Sequence, residues 1–238
     1  MKKILSLILA IAVTLSLAAC ATTGTQEADS VESQQETQVG SSSEMETSSS
    51  ETSETGGEQD SSVLVAYFSW ADNAILADDV DVISSPSVTS PGNVQQLAGW
   101  VQEETGGDLF SIQVTDPYSS DWDECLARAN QERGEDARPE LTANVANLEQ
   151  YDTVFLGYPN WWYGVPMALL SFLEQNDLSG KQVYLFCSHG TGGLARSVEI
   201  ITEAAPDAVI SDDIFDCYEE EAASSQSDIQ NWVAGLGY

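Results

Sequence analysis

Val63-Leu-Val-Ala-Tyr-Phe68 is an unbroken apolar run, the pattern of a strand covered on both faces. Asn93 to Thr105 then places Val94, Leu97, Ala98 and Val101 at helical spacing. Gly106-Gly107 can end that helix, because glycine tolerates the left-handed conformation at a C-cap. Phe110, Ile112 and Val114 alternate with Ser111 and Gln113, which predicts an edge strand with one wet face. Trp122, Cys125, Leu126 and Ala129 predict a second amphipathic helix. Thr153–Gly157 reads as a third strand and Gln182–Phe186 as a fourth. Between them Pro166 can open a helix whose Leu169, Leu170, Phe172 and Leu173 face inward. Leu194, Val198 and Ile201 predict a helix that Pro206 ends, Ala208–Ile210 opens a fifth strand, and Ile229, Trp232, Val233 and Leu236 predict the last helix. Strands alternating with helices make right-handed βαβ units, hence an α/β fold with a parallel sheet and helices on both faces. In such a sheet the ligand sits beyond the carboxyl ends of the strands, at the switch point. The loops after strands one, three and four are therefore where chemistry is expected.

The N-terminal quarter has a different pattern. Met1-Lys2-Lys3 precedes an apolar stretch, Ile4 to Leu17, broken only by Ser6, Thr14 and Ser16. It is shorter than the roughly 20 residues a membrane-spanning helix needs and suits the centre of a signal peptide. Leu17-Ala18-Ala19-Cys20 follows. Small residues before a cysteine resemble the bacterial lipoprotein signal, which implies cleavage after residue 19 and lipidation of Cys20. The expected location is extracytoplasmic, lipid-anchored to the bacterial cell membrane; the alternative is ordinary secretion with a coincidental cysteine. Residues 21–62 are Ser, Thr, Glu and Gln with scattered Gly, and contain no Trp, Phe, Tyr, Leu or Ile. Such a segment cannot bury enough apolar surface to offset its ordering entropy. It is expected to be a disordered tether reaching roughly 35 Å as a random coil. The expected organisation is thus a leader over 1–19, a tether over 20–62 and one domain over 63–238.

Charge narrows the choice of partner. The chain carries 39 acidic against 7 basic residues, a formal net charge of -32 over 238 residues. Past Lys3 the only bases are Arg128, Arg133, Arg138, Lys181 and Arg196. Nucleic-acid binding needs several bases to neutralise phosphates, so it is excluded.

The loop after strand one is Ser69-Trp70-Ala71-Asp72-Asn73. The loop after strand three is Tyr158-Pro-Asn-Trp-Trp-Tyr-Gly164, and that after strand four is Cys187-Ser-His-Gly-Thr-Gly-Gly193. Hydroxyls, glycines and aromatics without cations suit a flat aromatic ligand with a phosphate tail, since backbone N–H groups at a helix start bind phosphate without Lys or Arg. Tyr67-Phe68-Ser69, Gly92-Asn93-Val94, Gly106-Gly-Asp-Leu-Phe110, Gly157-Tyr-Pro-Asn-Trp-Trp162 and Cys187-Ser-His-Gly190 together resemble the short bacterial flavodoxin-like FMN proteins, over essentially Val63 to Tyr238. The resemblance implies a five-stranded parallel sheet of order 2-1-3-4-5 and FMN as cofactor. It implies that Ser69, Gly92, Asn93 and Val94 cradle the phosphate, with Trp70 beside them. Pro159, Asn160, Trp161, Trp162 and Tyr163 would flank the isoalloxazine. Ser188, His189, Gly190, Thr191, Gly192 and Gly193 would meet its pyrimidine side and ribityl chain.

The sequence departs from that family in two ways. An insertion at about 70–90, with Asp72, Asp78, Asp79 and Asp81, separates strand one from the helix start. The usual loop hydroxyls are replaced by Pro91 and Val94, leaving Ser87, Thr89 or Ser90 to compensate. The insertion is either a lid over the flavin or a surface loop. Trp161 and Trp162 are either core aromatics or stacking partners; on an extended tip one would point inward and one outward. His189, the only histidine, is either a loop residue bonded to backbone or a donor near the flavin, and no His-rich metal site is available. Cys187 and Cys217 lie near the ends of neighbouring strands, where a disulfide is one option. Three functions fit: an electron carrier with an unknown redox partner, an FMN-dependent reductase of quinones or other small acceptors, and a flavin-free binding module. The lipoprotein reading has a direct check: on detergent phase partitioning the wild type should enter the detergent phase and Cys20→Ala should not.

Overall fold

A computed structural model of the chain describes residues 62–76 and 85–238; the expected leader, Cys20, the tether and the centre of the insertion lie outside the described residues. The strands are β1 Val63–Tyr67, β2 Ala74–Ile75, β3 Asp108–Ser111, β4 Tyr118–Ser119, β5 Thr153–Pro159, β6 Gln182–His189, β7 Val209–Ile210 and β8 Phe215–Tyr218. The helices are α1 Asn93–Thr105, α2 Trp122–Gly134, α3 Met167–Gln175, α4 Ser197–Ala204 and α5 Gln226–Gly235.

All five residues of β1 and all seven of β5 are buried. The alternation of side chains along a strand explains why both must be apolar throughout. In β1, Leu64 and Ala66 enter one core with Val154 and Leu156 of β5, beneath Leu169 and Phe172 of α3 and Ile201 of α4. Val63, Val65 and Tyr67 enter a second core with Leu97 and Val101 of α1 and Ile229 and Val233 of α5. The sheet therefore has helices on both faces.

Pairing is parallel throughout the main sheet: β3 with β1, β1 with β5, β5 with β6, and β6 with both β7 and β8. Counted as full strands this is the order 2-1-3-4-5. The fifth strand is broken, with β7 pairing the start of β6 and β8 its end. The expected fifth strand at 208–210 is thus only its opening. β2 and β4 form a separate two-stranded parallel sheet, which the sequence pattern did not suggest. Gly106 ends α1 with φ at 65° and donates its N–H to Gln102 O at 2.9 Å.

The disulfide option does not hold. Cys125, Cys187 and Cys217 are free. Cys187 opposes Asp216 and Cys217 opposes Ser188 in the β6–β8 register, so the two thiols lie on opposite faces of the sheet, in different cores.

One glycine is required by the packing. A Cβ on Gly157 would overlap the ring of Phe186, its register partner on β6, and that ring is fully buried. Gly157→Ala should lower unfolding free energy by about 1–3 kcal/mol. Gly99→Ala, where a Cβ meets nothing within 4 Å on α1, should raise it by about 0.5–1 kcal/mol. Urea unfolding of both variants checks the opposite signs.

Candidate functional site

β1, β5, β6 and β8 deliver their carboxyl ends to one edge of the sheet. After β5 the chain makes a tight turn. Gly164 N–H donates to Trp161 O at 2.9 Å, and the two central residues, Trp162 and Tyr163, have φ of 53° and 60°. This is a turn of the I′ type, which normally takes Asn or Gly at its centre. Two aromatic residues held there cost of order 1–3 kcal/mol each, and such strain persists only where surrounding bonds enforce it. Asn160 N–H donates to Ser188 O at 2.9 Å and its Nδ2 to Gly193 O at 2.5 Å, while Arg196 N–H donates to Tyr163 O at 3.2 Å.

The extended tip expected for the two tryptophans is therefore a turn, and it changes where they point. Trp161 goes inward, edge-on to Phe68 at 5.5 Å and Tyr118 at 5.3 Å between centroids. Trp162 has a buried indole Nε1 without a partner among the described residues, and the Arg133 guanidinium lies 5.3 Å from its ring centroid. Tyr163 is the exposed member at 65%. Its ring lies over Gly192, where a Cβ would come within 3.0 Å of it.

Beside the end of β1, Ser69 is 1% exposed and its Oγ has no partner among the described residues. Gly92, at the start of α1, presses against it so closely that a Cβ on Gly92 would overlap that oxygen. Asn93 Nδ2 donates to Glu219 O at 2.8 Å and to Ser188 Oγ at 3.4 Å. Val94 lies 2% exposed in the α1–α5 core, so its side chain packs away from the site. The ends of the insertion belong to the site. Trp70 is 2% exposed and its Nε1 donates to Ser119 O at 3.1 Å; Ser85 and Ser87 are also buried. Of the three hydroxyls expected to compensate, Ser87 lines the cavity, joined by Ser85. Thr89 Oγ1 instead donates to Pro86 O at 3.0 Å, and Ser90 is exposed.

At the end of β6, His189 Nδ1 bonds Gly190 O at 2.8 Å and Nε2 bonds Asp216 Oδ2 at 2.7 Å. Both contacts are to oxygens, a backbone carbonyl and a carboxylate. Just past β8, Glu219 receives Ser85 Oγ–H on Oε2 at 2.8 Å. Burial, the largest effect, pushes its carboxyl up, with Glu220 adding and Ser85 and His189 opposing.

These parts surround a cavity of about 350 Å³, within the usual range for small-molecule sites. Trp70, Pro159 to Tyr163 and Ser188 to Gly192 line it; Ser69, Gly92, Asn93, Val94 and Gly193 do not. Gly193 instead supplies the carbonyl that Asn160 binds. Sequence reasoning missed Ser85, Glu219 and a wall on α2 made by Trp122, Cys125, Leu126 and Ala129. The α2 residues were legible as an apolar face and read simply as core. Burial pushes the Cys125 thiol up to about 12, so it remains a thiol.

A parallel α/β sheet with an aromatic-walled, hydroxyl-lined cavity at its carboxyl edge defines a doubly wound ligand-binding protein. A family model described as flavodoxin matches residues 82–236, well over half of the chain. The chain belongs to the flavodoxin family. Three solved structures share the fold. A Bacteroides eggerthii protein assigned as a flavoprotein is 24% identical over 74% of this chain and 98% of its own, with a TM-score of 0.55. A similarly assigned protein from Bacteroides uniformis is 22% identical over 72% of this chain and 97% of its own, with a TM-score of 0.56. A flavoprotein in complex with FMN from Lactobacillus acidophilus is 16% identical over 69% and 97%, with a TM-score of 0.50. Among curated proteins none matches.

Proposed function

We propose that the chain holds FMN in this cavity and carries electrons outside the cytoplasm, leashed to the membrane through Cys20. The observation that carries the reading is the pairing of Ser69 with Gly92. A buried hydroxyl without a partner faces the start of a thirteen-residue helix, at a glycine that admits no side chain. An orphaned buried donor costs about 1–3 kcal/mol, and an anionic oxygen would satisfy it. The helix dipole favours the same charge. The residues present therefore fit a flavin phosphate without Lys or Arg.

When bound, FMN supplies reversible electron uptake and release at its ring. The chain supplies the rest. Ser69, Gly92 and Asn93, which lie outside the cavity lining, would take the phosphate end once it reaches past that lining, and Trp161, Trp162 and Tyr163 wall the ring. The bonds from Asn160 keep the turn against the β6 loop. His189 sits between Gly190 O and Asp216 Oδ2, which orient its ring at the cavity wall. The lining lacks any Lys or Arg among the described residues. Arg128, Arg138 and Arg196 are spent on carboxylates, and Lys181 Nζ donates to Tyr151 O. Arg133 lies over Trp162 of the cavity wall.

This charge distribution favours a carrier over an enzyme driven by nicotinamide cofactors. Those cofactors bring several negative charges, and the acidic field should slow encounter and weaken binding. The leash holds the domain near a membrane donor and raises the effective concentration of that encounter. In anaerobic stopped-flow mixing of FMN-loaded protein, NADH and NADPH should bleach the flavin slowly or not at all. Complete bleaching within seconds at sub-millimolar nicotinamide would replace the carrier with a reductase.

A further inference from the structure

The hydroxyls beside the start of α1 already serve an anion of the chain's own. Glu219 N–H donates to His189 O at 2.8 Å, and its carbonyl accepts from Asn93 Nδ2 at 2.8 Å. The backbone is thus pinned on both sides, so the carboxylate moves only about its side-chain bonds. Oε2 takes the Ser85 hydroxyl at 2.8 Å, and Ser85 Oγ lies 2.6 Å from Ser87 Oγ. Both serines are buried, at 1% and 8% exposed, and both line the cavity. Ser87 O and the unpaired Ser69 Oγ both lie against Gly92. The carboxylate therefore occupies the Ser85 donor, and Ser85 is bonded to Ser87, whose backbone carbonyl lies with the unpaired Ser69 hydroxyl against the start of α1.

A carboxylate and a phosphate monoester seek the same donors, and they repel each other in a partly buried site. We propose that Glu219 is a specificity-determining residue that competes with the phosphate of the flavin tail: FMN must displace its carboxylate from Ser85, whose hydroxyl is in turn bonded to Ser87, whereas riboflavin, which has no phosphate, need not. Residue 219 then sets the ratio of the two affinities. The proposal rests on the flavin reading above, and it makes the opposite demand from a supporting ligand, because removing the charge improves binding.

The test titrates the flavin-free full chain with FMN and, separately, with riboflavin, following quenching of flavin fluorescence. Glu219→Gln keeps the size and removes the charge; Glu219→Ala removes both, and guards against a local defect in either variant. Both variants should bind FMN about tenfold more tightly than the wild type, equivalent to ~1.4 kcal/mol, with a clearly smaller change for riboflavin, so that the ratio of the two affinities moves toward FMN. Equal shifts for the two flavins, or no shift for FMN, would overturn the proposal. Folded protein that binds neither flavin in any form would overturn the flavin reading instead. In that event thermal melts with inorganic phosphate decide the competition alone. A larger rise in melting temperature for Glu219→Gln than for the wild type supports it, and equal rises reject it.

Discussion

Parallel pairing of β5 with β1 on one side and β6 on the other determines where the remaining parts of the molecule can sit. The register Tyr67↔Gly157↔Phe186 aligns the three strands where β1 ends, with β5 and β6 running on to Pro159 and His189. The loops that follow therefore rise from one edge, and the start of α1 meets them there. Register tolerates no slip, because a shift of one residue would exchange the two cores. Gly157 marks how tightly this is enforced, since the ring of Phe186 takes the space a side chain would need. Site geometry is thus a consequence of core packing on both faces.

An acidic chain that binds an anion has to do so with dipoles rather than cations. On the proposed reading, the start of α1, the Ser69, Ser85 and Ser87 hydroxyls and the glycines of the β6 loop would form such a set. They are local, and the repulsive field of the remaining surface is screened beyond about 10 Å at ordinary salt. The field still acts on what approaches from solution, which separates holding a cofactor from admitting a charged reductant. The strained turn at Trp162 and Tyr163 belongs to the same arrangement. It places three aromatic side chains around one opening, and four neighbouring bonds to Asn160, Gly164 and Arg196 hold it.

β1 and β5 were legible because they are buried on both faces and so read as unbroken apolar runs; α1 could be read to the residue, Asn93 to Thr105. The fifth strand was not, because Ser211-Asp212-Asp213 interrupts its apolar pattern and pairing resumes only at Phe215. Glu219 was lost with it, as it follows a strand whose end was unseen. The loops after β1, β5 and β6 were legible from position alone. What pattern could not supply was the shape within them. A turn with two left-handed aromatics is invisible to propensity rules that expect Asn or Gly there. The insertion hid Ser85, since no periodicity tells that a residue so far from Ser69 along the chain returns to its side; of the three hydroxyls offered after it, only Ser87 lines the cavity.

The most direct measurement is the visible absorption spectrum of the purified full chain in detergent, with the cofactor released on denaturation and identified. The account predicts flavin absorption bands and FMN as the released compound, or full uptake of added FMN by protein isolated without it. A colourless, folded chain that takes up no added FMN would contradict it.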